Sequence, residues 1–148
     1  MAITRYAPNT IHLGGHKISV NDIVGSGVIT PGYLVERFSS SGTPKFRAHS
    51  TAGGNATKTV ALNASMLNKG VDDNYADGDL IEAAIGESGS TWWMLIASGQ
   101  NLVAGDFLES AGNGLIRKLT SGVPLFQALV DTNNTAGPST MRIKVEAI

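Results

Sequence analysis

The sequence predicts an all-β fold: a small β-barrel or β-sandwich-like domain with an extended N-terminal arm. Three observations carry this. The closing segment alternates strictly, with Met141, Ile143, Val145 and Ala147 against Arg142, Lys144 and Glu146, the period of a half-buried strand. Glycine is abundant, at 18 residues, and no long stretch repeats apolar residues at helical spacing. Three stretches share one turn-to-strand pattern: Ile29-Thr-Pro-Gly-Tyr-Leu-Val35, Tyr75-Ala-Asp-Gly-Asp-Leu-Ile81 and Leu102-Val-Ala-Gly-Asp-Phe-Leu108. In each, an apolar or aromatic residue precedes a short turn, a glycine sits at the bend, and apolar residues enter a strand. Gly32, Gly78 and Gly105 suit a bend that needs positive φ, and Pro31 presets the residue before it as in a type II turn. Asp79 and Asp106 follow two of these glycines as further turn formers.

The chain has 148 residues, enough for one domain that buries a sizeable core. The expected division is an arm over residues 1–15 and a single β-domain over 16–148. Charged residues make up 16% and the formal net charge is −1, which argues against a nucleic-acid partner, since neutralising phosphates needs a basic stripe. Without cysteine, disulfides and thiolate chemistry are excluded. The start lacks the basic and apolar regions of a secretory signal, and no apolar run approaches membrane-spanning length. A soluble chain with no membrane partner is the expectation.

Along the chain, Pro8 and the Gly14-Gly15 pair interrupt regular structure in the arm. Lys17 to Val28 holds a short strand before the Gly25-Ser-Gly27 turn. Tyr33–Phe38 and Lys45–His49 read as a hairpin around the loop Ser39–Pro44. Thr51–Thr59 reads as a polar loop, Val60–Leu62 as a short strand and Ser65–Lys69 as one helical turn at most. Leu80–Ile85 and Thr91–Ala97 are strands. The second is apolar on both faces, so it is either central or carries an interface. Phe107–Glu109 and Leu115–Lys118 form a hairpin, Pro124–Val130 a strand and Asp131–Pro138 a loop.

Candidate chemistry is sparse. His12 and His16 stand four apart, but Gly14-Gly15 lies between them and no third ligand has a fitting spacing, so no metal is expected. The aspartates 72, 73, 77 and 79 resemble a calcium loop only superficially. Counted from Asp73, the third and twelfth positions are Tyr75 and Ala84, which supply no carboxylate; turn-making explains them more simply. Ser26 lacks the flanks of a nucleophile elbow, and no phosphate-binding loop precedes a helix. The expectation is no enzyme, no catalytic residue and no cofactor.

Several segments, in order, resemble bacteriophage head decoration (capsid cement) proteins. They are Thr30-Pro-Gly-Tyr-Leu-Val-Glu36, His49-Ser-Thr-Ala-Gly-Gly54, Val60-Ala-Leu62, Asn68-Lys-Gly-Val-Asp-Asp-Asn-Tyr-Ala-Asp-Gly-Asp79, Leu102-Val-Ala-Gly-Asp-Phe-Leu-Glu-Ser-Ala-Gly-Asn-Gly114 and Arg142-Ile-Lys-Val-Glu146. The resemblance covers about residues 28–148. It implies a compact β-barrel-type domain on the outer capsid surface of a virion, made in the host cytoplasm. It further implies a homotrimer at three-fold and quasi-three-fold positions that bridges major capsid protein subunits and stabilises the expanded capsid. A closed three-fold ring needs two different adhesive patches per subunit. The candidates are Ile3, Tyr6 and Ile11 of the arm, Tyr75 and Trp92. A carbohydrate-binding or adhesin module, stacking sugars on Trp92, Trp93 and Tyr75, is the alternative reading.

Overall fold

The computed structural model describes residues 8–137 and 140–148. Among them the chain is all-β: thirteen strands and a single 3₁₀ turn, Ser65–Leu67. The strands form two large sheets, both of which roll.

The first sheet comprises β1 (His12–Gly14), β7 (Thr91–Ile96), β9 (Phe107–Gly112), β10 (Leu115–Lys118), β11 (Phe126–Ala128) and β13 (Met141–Ala147), in the order β1-β7-β10-β9-β11-β13. β13 also pairs antiparallel with β7 from Met141↔Ile96 to Glu146↔Thr91, so β7, β10, β9, β11 and β13 close into a ring. Closure removes the unpaired edges that an open sheet must otherwise protect. The alternation in the final segment builds this ring: Ile143, Val145 and Ala147 point into its core.

The second sheet comprises β2 (Lys17–Val24), β3 (Leu34–Ser40), β4 (Thr43–Ala48), β5 (Thr59–Ala61) and β6 (Leu80–Gly86), in the order β2-β6-β5-β3-β4. A single parallel bridge, Gly25 to Phe46, draws its two ends together. Beyond these, β8 (Asn101–Leu102) and β12 (Thr132–Asn133) form a small ribbon.

The second sheet is covered on both faces, by a core shared with the first sheet on one side and by a second core of its own on the other, which explains the loss of alternation in β3, β5 and β6. Leu34, Val60 and Ala84 face the larger core with Ile11, Trp92, Met94, Ile96 and Phe126. Their sequence neighbours Val35, Ala61 and Ala83 face the second core with Ile29, Phe46, Tyr75 and Ile81. A strand covered on both faces reads as a continuous apolar run. Trp92 is central and fully buried, with its ring 4.8 Å from that of His12 and its Nε1–H donated to Ser90 Oγ at 2.9 Å.

The structure corrects several boundaries. The arm does not extend to residue 15: His12 pairs with Trp92 and Gly14 with Thr91, and Ile11 is fully buried. Burial of Ile11 in the core that holds Trp92 gives this stretch the packing that its irregular sequence pattern hides. The hairpin loop Ser39–Pro44 is mostly strand, because Ser39 pairs with Pro44 and Ser40 with Thr43. Only Ser41 (φ 51°) and Gly42 (φ 85°) turn the chain, the twist-matched two-residue hairpin. Apolar content misleads further on: of Pro124–Val130, only Phe126–Ala128 is strand. Asp131–Pro138, read as loop, contains β12, which borrows its partner from β8.

Candidate functional site

The three repeated turns have one geometry. Tyr33 N–H reaches Thr30 O at 3.0 Å, Asp79 N–H reaches Ala76 O at 3.1 Å and Asp106 N–H reaches Val103 O at 3.0 Å. Gly32, Gly78 and Gly105 hold φ of 96°, 87° and 98°, as the third residue of a type II turn requires. Asp79 and Asp106 reinforce their turns, their Oδ2 atoms accepting the N–H of Ala76 at 2.8 Å and of Val103 at 3.0 Å. Asp106 is held below the usual carboxylate range by the Val103 N–H and by Lys118.

The remaining aspartates between Asn68 and Ile81 also serve to hold the chain in place. Asp73 accepts from Gly70 N–H at 2.7 Å, and Asp77 from Gly27 N–H at 2.8 Å. Asp72 meets Arg142 at 2.9 Å. Arg142 reaches further, donating to Pro31 O at 3.2 and 3.1 Å and to Val71 O at 2.6 Å, with its guanidinium over the Trp93 ring. It thereby ties the first turn, the stretch Val71–Asp72 and β13 together.

Two buried polar groups join loops to the sheets. The fully buried Glu109 carboxylate accepts from Arg117 at 2.8 Å, Thr120 Oγ1 at 2.9 Å and Gly122 N–H at 2.6 Å. Burial raises its pKa, but these bonds outweigh burial and leave it below its ordinary value. His49 Nδ1 lies 2.7 Å from Ser110 Oγ, its Nε2 3.0 Å from Asn55 O and 3.6 Å from Glu36 Oε2. Ser110, His49 and Glu36 have the residue types of a nucleophilic triad. The Ser110 hydroxyl, however, is fully buried and also accepts Gly112 N–H at 3.1 Å. This geometry tethers the 49–55 segment to β9.

The structure separates the residues proposed from sequence as an adhesive surface. Ile3 and Tyr6 lie outside the described residues. Ile11 and Trp92 are buried together in the larger core. Tyr75 is buried in the second core, its hydroxyl donating to Leu62 O at 2.5 Å; burial pushes its pKa up to about 12. Ile11, Tyr75 and Trp92 therefore form no surface patch, because core packing claims their apolar area. The sugar-stacking set dissolves for the same reason, with Trp92 and Tyr75 inside and Trp93 beneath Arg142.

Other side chains are exposed instead. Met66 (82%), Leu67 (70%) and Leu80 (56%) line a groove of about 290 Å³ beside the 3₁₀ turn. Phe107, which opens β9 of the closed ring, is 46% exposed, and Val103 and Leu129, in the segments flanking β9 and β11, are also exposed. Phe107 stands opposite Gln127 across β9 and β11, and Leu129 follows Gln127 by two residues. Both patches left a signal in the sequence. Met66-Leu67 is an apolar pair inside a polar turn, and Phe107-Leu108 begins a strand whose partners alternate in and out.

No family model and no curated relative matches the sequence. The fold is similar to that of the N base of head fiber gp8.5 in bacteriophage phi29, with a TM-score of 0.59 at 9% sequence identity. The similarity spans 90% of this chain and 95% of that one; it is a likeness of fold.

Proposed function

We propose that this chain is a structural virion protein that binds the outer surface of an expanded phage capsid and stabilises it. It acts as homotrimers at three-fold and quasi-three-fold positions, bridging major capsid protein subunits. The observation that carries this reading is the fold likeness to a phage head fiber base over nearly the whole of both chains. The order of turn motifs in residues 28–148, which resembles capsid cement proteins, supports it independently.

The mechanism is adhesive. Covalently unlinked subunits gain strength at an interface chiefly by removing apolar area from water, and the exposed side chains of Val103, Phe107 and Leu129 supply such area. Light scattering on the purified chain, then co-sedimentation with expanded, undecorated heads, tests the reading. A three-copy particle that binds heads saturably and raises their resistance to heat is expected. A monomer that stays in the supernatant overturns it.

A further inference from the structure

We propose that the groove at Met66, Leu67 and Leu80 is a docking site for a basic peptide segment of a partner protein, in which an apolar side chain is flanked by lysine or arginine. The inference goes beyond the virion reading and does not rest on it.

The first argument is that the apolar wall is exposed yet fixed. Leu80, Glu82 and Ala84 share one face of β6, as alternate residues of a strand do. Ala84 lies in the larger core, whereas Leu80, at the start of the strand, is exposed. That face therefore leaves the cover of the core at Leu80, and the 3₁₀ turn lies beside it. Glu82 holds the turn: its Oε2 accepts the Ser65 N–H at 3.2 Å and its Oε1 the Met66 N–H at 3.4 Å. The far end of the turn closes with Asn68 N–H on Ser65 O at 3.0 Å and Lys69 N–H on Ala64 O at 3.1 Å. Met66 and Leu67 thus project from backbone that is already ordered, which spares a ligand that cost. An exposed apolar patch with a polar rim marks an interaction surface, and the flexible thioether of Met66 adapts to anchors of different shape.

The second argument is charge complementarity. The groove of about 290 Å³ adjoins a hollow of about 130 Å³, and Ala64, Leu67 and Leu80 line both. Glu82 lines the groove; Asp73 and Asp79 line the hollow, together with the cation Lys69. None of the three carboxylates forms an ion pair among the described residues. Their donors are the N–H groups of Gly70, Ala76, Ser65 and Met66 and the Ser65 hydroxyl, which carry no charge to cancel theirs. Three carboxylates against one ammonium make the rim negative. Such a rim repels nucleic-acid phosphates and anionic lipid, and attracts cationic side chains. The apolar wall rewards a ligand that also brings apolar area. A peptide with an apolar anchor between basic residues meets both demands.

Methionine methyl resonances test this directly, because Met66 lines the groove while Met94 is buried and Met141 is exposed on β13. The probes are two synthetic peptides, acetyl-Lys-Leu-Arg-Ile-Lys-amide and acetyl-Glu-Leu-Gln-Ile-Glu-amide, titrated into the isotope-labelled full chain. The basic peptide is expected to shift the Met66 methyl saturably, less so at high salt, and to leave Met94 and Met141 in place. The acidic peptide is expected to bind several-fold more weakly. Leu67→Gln and Glu82→Gln, which remove apolar area and charge in turn, should each weaken the basic peptide several-fold. An unshifted Met66, equal binding of the two peptides, or undiminished binding by either variant would overturn the proposal. A Met66 signal that moves when the concentration of the protein alone is raised would overturn it in favour of a second copy as the occupant.

Discussion

Ile29 and Tyr75 exchange two backbone hydrogen bonds, Ile29 N–H to Tyr75 O at 3.1 Å and Tyr75 N–H to Ile29 O at 2.8 Å. Each residue immediately precedes one of the repeated turns, so two of the three turn-to-strand units are paired at the same position of their repeat. The third unit is held elsewhere, with Leu102 opposite Thr132. The bends depend on glycine. Gly78→Val and Gly105→Val place Cβ in open space, so each costs only the backbone term, about 1–3 kcal/mol. Gly32→Val adds a Cβ 3.1 Å from Trp93 O and is expected to be the most damaging. Denaturant midpoints of the three variants check the ranking.

Arg142 is expected to behave as a structural clamp. Arg142→Ala leaves the Pro31 and Val71 carbonyls without this donor and should cost about 2–4 kcal/mol, since each buried acceptor left unpaired costs ~1–3 kcal/mol. Arg142→Lys should recover little, because an ammonium cannot span two carbonyls and a carboxylate as the planar guanidinium does. Thermal melts of the two variants decide this.

Glu109 sets an acid limit on stability. Its folded pKa lies below the ordinary 4.5, so its contribution is complete above about 4.5 and is lost as pH falls through the depressed folded value. Glu36 shifts in the same direction: burial opposes, but the bonds from Ser50 and Arg47 outweigh it. The stability gap between the wild type and Glu109→Gln is therefore expected to be widest at neutral pH and to narrow below about 4.5. Melting temperatures from neutral pH into the acid range test the sign.

Ser110→Ala should lower stability by about 1–3 kcal/mol, because it strips a buried partner from both His49 Nδ1 and Gly112 N–H. Faster proteolysis within residues 49–55 is expected alongside. A variant as stable as the wild type would show that this hydroxyl does not tether the segment.

Phe107→Arg should leave the melting temperature nearly unchanged, since the side chain is half exposed, while weakening co-sedimentation with expanded heads roughly tenfold, the loss of about 1.4 kcal/mol of contact. Undiminished binding would remove the Phe107 patch from the proposed capsid contact.

By itself the sequence determined the all-β class, the three glycine-centred turns and the final strand, because each is written in short-range terms: a period of two, or a bend that only glycine accommodates readily. It also marked the aspartates as turn formers, whose partners lie within three residues for Asp73, Asp79 and Asp106. Tertiary structure alone decided which apolar residues are surface. Ile11, Tyr75 and Trp92 have the composition of an adhesive patch, yet Ile11 and Trp92, far apart in the chain, enter one core only once β1 lies on β7. Met66, Leu67 and Phe107, no less apolar, stay outside because no described strand packs over them. Burial depends on which distant strands pair, and strand pairing leaves no local mark in the residues it covers.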